Sequence, residues 1–196
     1  MHLIECSRSY ADQILAIYND AILTTTAMYE YSERPKESMT AWFDAKEQGG
    51  YPVIGLVDDY DRLLAFGTYG PFRARPAYHY TIEHSVYVHK DHRGKGLGPM
   101  ILSTLIEKAI EQQYHCMVAA IDSDNAASIH MHEKAGFEPI GVVKEVGYKF
   151  GAYRSLALMQ LLLPTPEKPK EIQASRSIPP VLHTEAKFHW AIGIIF

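Results

Sequence analysis

The run His84–Gly98, H-S-V-Y-V-H-K-D-H-R-G-K-G-L-G, carries the clearest chemistry in the chain. Glycines at 94, 96 and 98 remove the Cβ atoms that would hold a ligand away from the backbone. A helix starting there adds the positive end of its dipole to a row of free N–H groups. With Arg93 and Lys95 beside it, such a turn suits a phosphate or pyrophosphate. The spacing is neither G-x-x-x-x-G-K-[ST] nor G-x-G-x-x-G. It is R-x-x-G-x-G, from Arg93 through Gly94, Lys95, Gly96 and Leu97 to Gly98. A glycine turn made for packing alone is the competing reading of those residues. Just upstream, G-P-F-R-A-R-P (70–76) offers Arg73 and Arg75. Their guanidinium forks fit a carboxylate or a similar anion; the plain alternative is two solvated loop arginines.

The elements that must position these groups follow from pattern. Val86 and Val88 alternate with Tyr87 in a strand spanning 79–89, which feeds the glycine turn. Pro99 sits just inside the next helix, whose stripe is Ile101, Leu102, Leu105, Ile106, Ala109 and Ile110. Cys116–Ile121 is a continuous apolar run, as expected of a central buried strand. Asn125 opens another helix that stops at Gly136. Before all this come a strand at 3–6 and a helix burying Ile14, Leu15, Tyr18, Ala21 and Ile22. The stretch 24–31 either lines a pocket or is a packed connection. A second helix runs from Pro35 to Gly49-Gly50, and a hairpin joins strands at 53–57 and 63–69. Strands at 142–146 and 155–163 close the series, giving β-α-α-β-β-β-α-β-α-β-β.

Composition narrows the classes. The 196 residues suffice for one sizeable core, and 47% hydrophobic with 21% charged residues is ordinary for a globular protein. A net charge of −4 argues against nucleic acid as a partner. No apolar run approaches the roughly 20 residues of a membrane span, and the start does not read as a signal peptide. Cys6 and Cys116, far apart and outside any C-x-x-C, fit a reduced cytoplasmic setting. His130 and His132 lie two apart on a helix and face different ways, so no metal site is expected. From Pro164 the repeated prolines mark a tail, with one domain over 1–163; residues 188–196 turn apolar again.

A second motif, D-N-A-A-S-I-H-M-H-E-K-A-G-F (124–137), together with the glycine turn resembles the Gcn5-related N-acetyltransferase superfamily. T-I-E-H-S-V-Y-V (81–88) and V-G-Y-K-F-G-A-Y (146–153) resemble its phosphinothricin and methionine sulfoximine/sulfone acetyltransferase branch. The resemblance implies an α/β fold of α+β type: a mixed, largely antiparallel sheet flanked by helices, with a splayed central strand pair. It implies transfer of acetyl from acetyl-CoA to the α-amine of a small amino-acid-like substrate, by direct attack, in a homodimer. It places the catalytic carboxylate at Glu83 and a second proton-transfer group at His132, where many superfamily members carry tyrosine. It has the backbone of Val86, Tyr87 and Val88 hold the pantetheine arm and supply an oxyanion donor, with Asn125 and Ser128 also touching the cofactor. Arg73 and Arg75 would then hold the substrate's carboxylate or phosphinate. Transfer to protein N-termini or lysines, and acyl-CoA sensing without catalysis, are the alternatives.

Overall fold

The computed structural model describes residues 1–171. The chain runs β1 (His2–Glu5), α1 (Ala11–Thr24), α2 (Ser38–Gly49), β2 (Val53–Val57), β3 (Leu63–Pro71), β4 (Thr81–Val88), α3 (Leu97–Glu111), β5 (Cys116–Asp122), α4 (Ala126–Lys134), β6 (Glu138–Lys149) and β7 (Ala152–Leu162). This is the expected order. The strands form one seven-stranded sheet, β1-β2-β3-β4-β5-β7-β6, in which only β4 and β5 pair in parallel.

Side-chain alternation splits the core into two layers. On one face Ile14, Ile17, Tyr18 and Ile22 of α1 and Trp42 and Phe43 of α2 pack on Val53, Val57 and Phe66. On the other, Ile101, Leu102 and Leu105 of α3 meet Ile54, Leu56, Ile82, Met117 and Ala119. Ile17 lies in the α1 stripe beside the residues expected there, and Leu15 is only partly buried. Gly50, at φ +66°, terminates α2 in the left-handed conformation.

Two boundaries differ from the sequence reading. Residues 79–80 continue the 3-10 turn Pro76–Tyr78 as a further turn, with His79 N–H donating to Pro76 O, so β4 starts at Thr81 instead of 79. β6 and β7 are longer than their hydrophobic segments. Pairing slips at Pro139/Gly141 and at Val143/Gly147, and these bulges break the two-residue alternation from which strands are recognised. After β7, Leu163 N–H donates to His115 O and Thr165 Oγ1 to Tyr114 O, so the first residues of the proline-rich segment follow the body. The apolar stretch 188–196 lies outside the described residues. Among the described residues no helix is long and apolar enough to cross a membrane.

Candidate active site

The site begins where two strands part. β4 and β5 are registered only from Thr81↔Cys116 to Glu83↔Val118, although β4 continues to Val88 and β5 to Asp122. Beyond Glu83 and Val118 the facing backbone groups are not paired with each other. His89 N–H donates to Leu64 O on β3, so strand alternation turns the backbone groups of Tyr87 and Ser85 toward β3 as well. Those of Val86 and Val88 face the opening. Of the three residues expected to offer backbone to a ligand there, Val86 and Val88 have that orientation and Tyr87 does not. Its ring instead stacks on Phe66, with centroids 5.4 Å apart, and meets Tyr18 edge-on at 4.9 Å.

Glu83 is the last paired residue before the opening, between Gly70 of β3 and Val118 of β5. Alternation along β4 puts it on the α1/α2 face, while Ile82 and His84 point to the α3/α4 face. Burial raises its carboxyl pKa to about 7, against the opposing charge of Arg73. A carboxylate that titrates near neutrality can take a proton from an amine and release it again. Arg73 therefore belongs to the site's electrostatics, its guanidinium lying 4.4 Å from the centre of the Phe72 ring. Arg75 is exposed at the head of the 3-10 turn Pro76–Tyr78.

The glycine turn connects the opening to α3. Gly94 and Gly96 have φ of +74° and +78°, a region costly for residues with a Cβ. Gly96 is the N-cap of α3, and the turn around it is exposed. Gly98 has another reason to be small: a Cβ there would lie 2.9 Å from Met131 Sδ of α4. Arg93 does not reach out freely, since it pairs with Asp20 of α1 at 2.6 Å and donates through Nε to Val88 O. Lys95 Nζ donates to Asp91 O at 2.8 Å. Leu97 is buried, so its side chain serves the core.

Asn125 caps α4, its Oδ1 accepting from Ser128 N–H at 3.1 Å. Among the described residues its Nδ2 amide has no acceptor and remains to donate. His132, near the end of the same helix, is buried with Nδ1 2.7 Å from Ser128 O and Nε2 3.0 Å from Nε2 of His84. His84 in turn sets Nδ1 3.0 Å from Val118 O, across the point where the strands separate. Burial lowers the proton affinity of both rings, and for His84 the His132 ring adds to this. Glu83 and His132 thus stand on opposite faces of the sheet at one opening.

One participant, His84, escaped the sequence reading, and Lys149 has a role that its motif does not suggest. His84 is half of a contact whose other half lies 48 positions away. Lys149, whose motif V-G-Y-K-F-G-A-Y (146–153) suggests a reach to a pocket or a dimer contact, is instead buried with Nζ donating to the carbonyls of Ile22, Thr25 and Met28. It anchors the segment between α1 and α2, as does Tyr29, whose hydroxyl donates to Asp122 Oδ2 at 3.0 Å. That segment is therefore a packed connection. Neither cysteine suits covalent catalysis, because burial raises the thiol pKa of Cys6 to about 12 and that of Cys116 also.

Residues 14–137 match the model of the acetyltransferase (GNAT) family. The chain is 47% identical over 157 residues to an L-methionine sulfoximine/L-methionine sulfone acetyltransferase of Pseudomonas paraeruginosa, covering 80% of this chain and 91% of that one. It is 40% identical over 159 residues to an L-amino acid N-acyltransferase of Escherichia coli, covering 81% and 92%. A GNAT phosphinothricin acetyltransferase from Sinorhizobium meliloti, solved in complex with acetyl-CoA, superposes with a TM-score of 0.83 at 28% identity over 90% of this chain and 95% of that one.

Proposed function

The chain belongs to the acetyltransferase (GNAT) family, and from that membership we propose that it acetylates the α-amine of a small amino acid of the methionine sulfoximine, methionine sulfone or phosphinothricin type. The observation that carries this reading is Glu83: a carboxylate at the mouth of the parted strands, raised to about 7 by burial, with Arg73 beside it. Acetyl-CoA fits the residues present, because the open edge of β4 runs on along the chain into the exposed glycine turn at the start of α3. Val86 and Val88 would hold the pantetheine arm, the N–H groups at 94–98 and Lys95 the pyrophosphate, and Asn125 Nδ2 would add a donor. Acetyl-CoA supplies the activated acetyl group when bound.

The residues divide the remaining work. Glu83 takes the proton from the substrate ammonium, directly or through water, and frees the amine lone pair. Arg73, with Arg75 from the adjoining turn, holds the substrate's acidic group. Transfer is direct, in keeping with two thiols whose pKa values are raised. The unit that does this is 1–163, in a reducing, cytoplasmic compartment where Cys6 and Cys116 stay unpaired. CoA release with phosphinothricin, methionine sulfone, methionine sulfoximine and an N-terminal peptide tests the reading. Turnover on the small amino acids is expected; turnover on the peptide alone, or none despite acetyl-CoA binding, overturns it.

The enzyme works as a homodimer joined through the β6–β7 hairpin. β6 is a sheet edge, and Val142, Val146, Tyr148, Phe150, Tyr153 and Leu162 are each 45–67% exposed on the hairpin. An apolar edge of this length left bare invites association, and a second copy offers the same surface. Sedimentation should give twice the chain mass for the wild type and the chain mass for Val142→Asp/Tyr148→Asp. A wild-type monomer at micromolar concentration refutes the dimer.

A further inference from the structure

The two buried histidines at the opening raise a question of proton count. His132 Nδ1 lies 2.7 Å from Ser128 O, and His84 Nδ1 lies 3.0 Å from Val118 O. A carbonyl oxygen only accepts, so each Nδ1 carries a hydrogen. The Ser128 hydroxyl, 3.5 Å from His132 Nδ1, is too distant to replace that bond with one of opposite sense. If both rings were neutral, both Nε2 atoms would then be bare lone pairs facing each other at 3.0 Å. One hydrogen between them turns that repulsion into a hydrogen bond.

We propose that His84 and His132 are held as a pair with three ring hydrogens and one positive charge, and that His84 is a positioning residue that fixes His132 and keeps this charge where β4 and β5 part. The surroundings are consistent with one charge and bar a second. His132 sits in the last turn of α4, at the negative end of its dipole. β5 contributes the Val118 carbonyl and α4 the Ser128 carbonyl and hydroxyl. Phe137, ahead of β6, places its ring centre 5.3 Å from His84 and 5.1 Å from His132. On β4 itself Glu83 points to the other face. Among the described residues no carboxylate pairs with either ring, and the titratable group next to each is the other ring. Burial opposes charge on either ring while the two carbonyls favour it, and a charge on His132 further lowers the proton affinity of His84, so the two rings do not carry two charges at once.

The functional consequence rests on the acetyl-transfer reading. Acyl transfer from a thioester develops negative charge on the carbonyl oxygen and on the departing sulfur, and a fixed cation at the opening favours both. No proton needs to leave the pair for this effect.

The test reads the hydrogens first. In protein labelled with 15N-histidine, long-range nitrogen–hydrogen spectra at pH 7, assigned with His84→Gln and His132→Gln, should give three ring hydrogens for the two residues. Raising the pH should remove one of them from both rings in a single step. Two ring hydrogens at pH 7 overturn the proposal. This arm needs neither substrate nor turnover, so it stands or falls separately from the acetyl-transfer reading. In kinetics, His84→Gln is expected to lower kcat about tenfold or more while KM for both substrates changes less than about threefold. The fall of kcat at alkaline pH, as the shared proton is lost, should vanish. His84→Asn is the second variant if the first fails to fold. A variant that loses thermal stability but keeps the wild-type pH profile overturns the electrostatic role.

Discussion

Glu83→Gln is expected to lower kcat by about 10²–10⁴-fold, the range supplied by a positioned general base. The substitution keeps the shape and removes only the basic oxygen. The pH dependence supplies the sharper check. Burial holds the Glu83 carboxyl at about 7, so the group is protonated and idle below that value. Wild-type kcat/KM should therefore rise with pH through about 7 and level off above it, and the variant should lose that rise. Arg73 lowers the Glu83 pKa by its charge, so Arg73→Met should displace the rise to higher pH. The same linkage predicts a stability trade. A carboxyl raised in the folded state stabilises fully below its unfolded pKa, and that contribution is lost as pH climbs toward about 7. Glu83→Gln should accordingly gain thermal stability relative to wild type at pH 8 and gain none at pH 4. A variant with wild-type kcat removes Glu83 from the base role.

Much of this site is readable from local pattern because its parts are local. The glycine turn announces itself through spacing, and the structure gives the reason at Gly94 and Gly96 in their positive φ and at Gly98 in the closeness of Met131. Asn125 is visible as a cap, and the alternation around Val86 marks β4. What pattern does not reveal is pairing between distant segments. That β4 and β5 separate after Glu83↔Val118 is a property of two strands joined through α3, and neither strand's sequence encodes it alone. His84 reads as one more polar residue on a strand until α4 brings His132 to it. Tyr87 shows the converse: its place in the motif suggests ligand contact, but strand parity turns its backbone to β3. The exposed hairpin is legible as two strands, at 142–146 and 155–163, but not in its full length, because its bulges mask alternation.

Lys149 illustrates the same limit with a large energetic consequence. Its ammonium sits 2.5–2.9 Å from the carbonyls of Ile22, Thr25 and Met28, at the end of α1 and in the segment that follows. The side chain is 2% exposed, so few waters can take its place. Three bonds from a charged donor satisfy the Ile22 carbonyl that the ending helix leaves open and those of Thr25 and Met28 beyond it. Lys149→Met keeps the length and apolar stem but leaves those carbonyls without their donor. The loss is expected to reach about 3 kcal/mol or more, since each buried polar group left unpaired costs about 1–3 kcal/mol. For a chain of this size that corresponds to a fall in Tm of roughly 6–12 °C. The effect should extend to function, because the freed segment also carries Glu30 and Arg34, an ion pair at 2.6 Å that packs beside Tyr18, close to Tyr87 of β4. KM for the amine substrate should rise several-fold while KM for acetyl-CoA stays near the wild-type value. Lys149→Arg, which keeps a charged donor, should fall between wild type and Lys149→Met in both measurements. An unchanged Tm in Lys149→Met would mean that water reaches the three carbonyls and that the anchoring role is wrong.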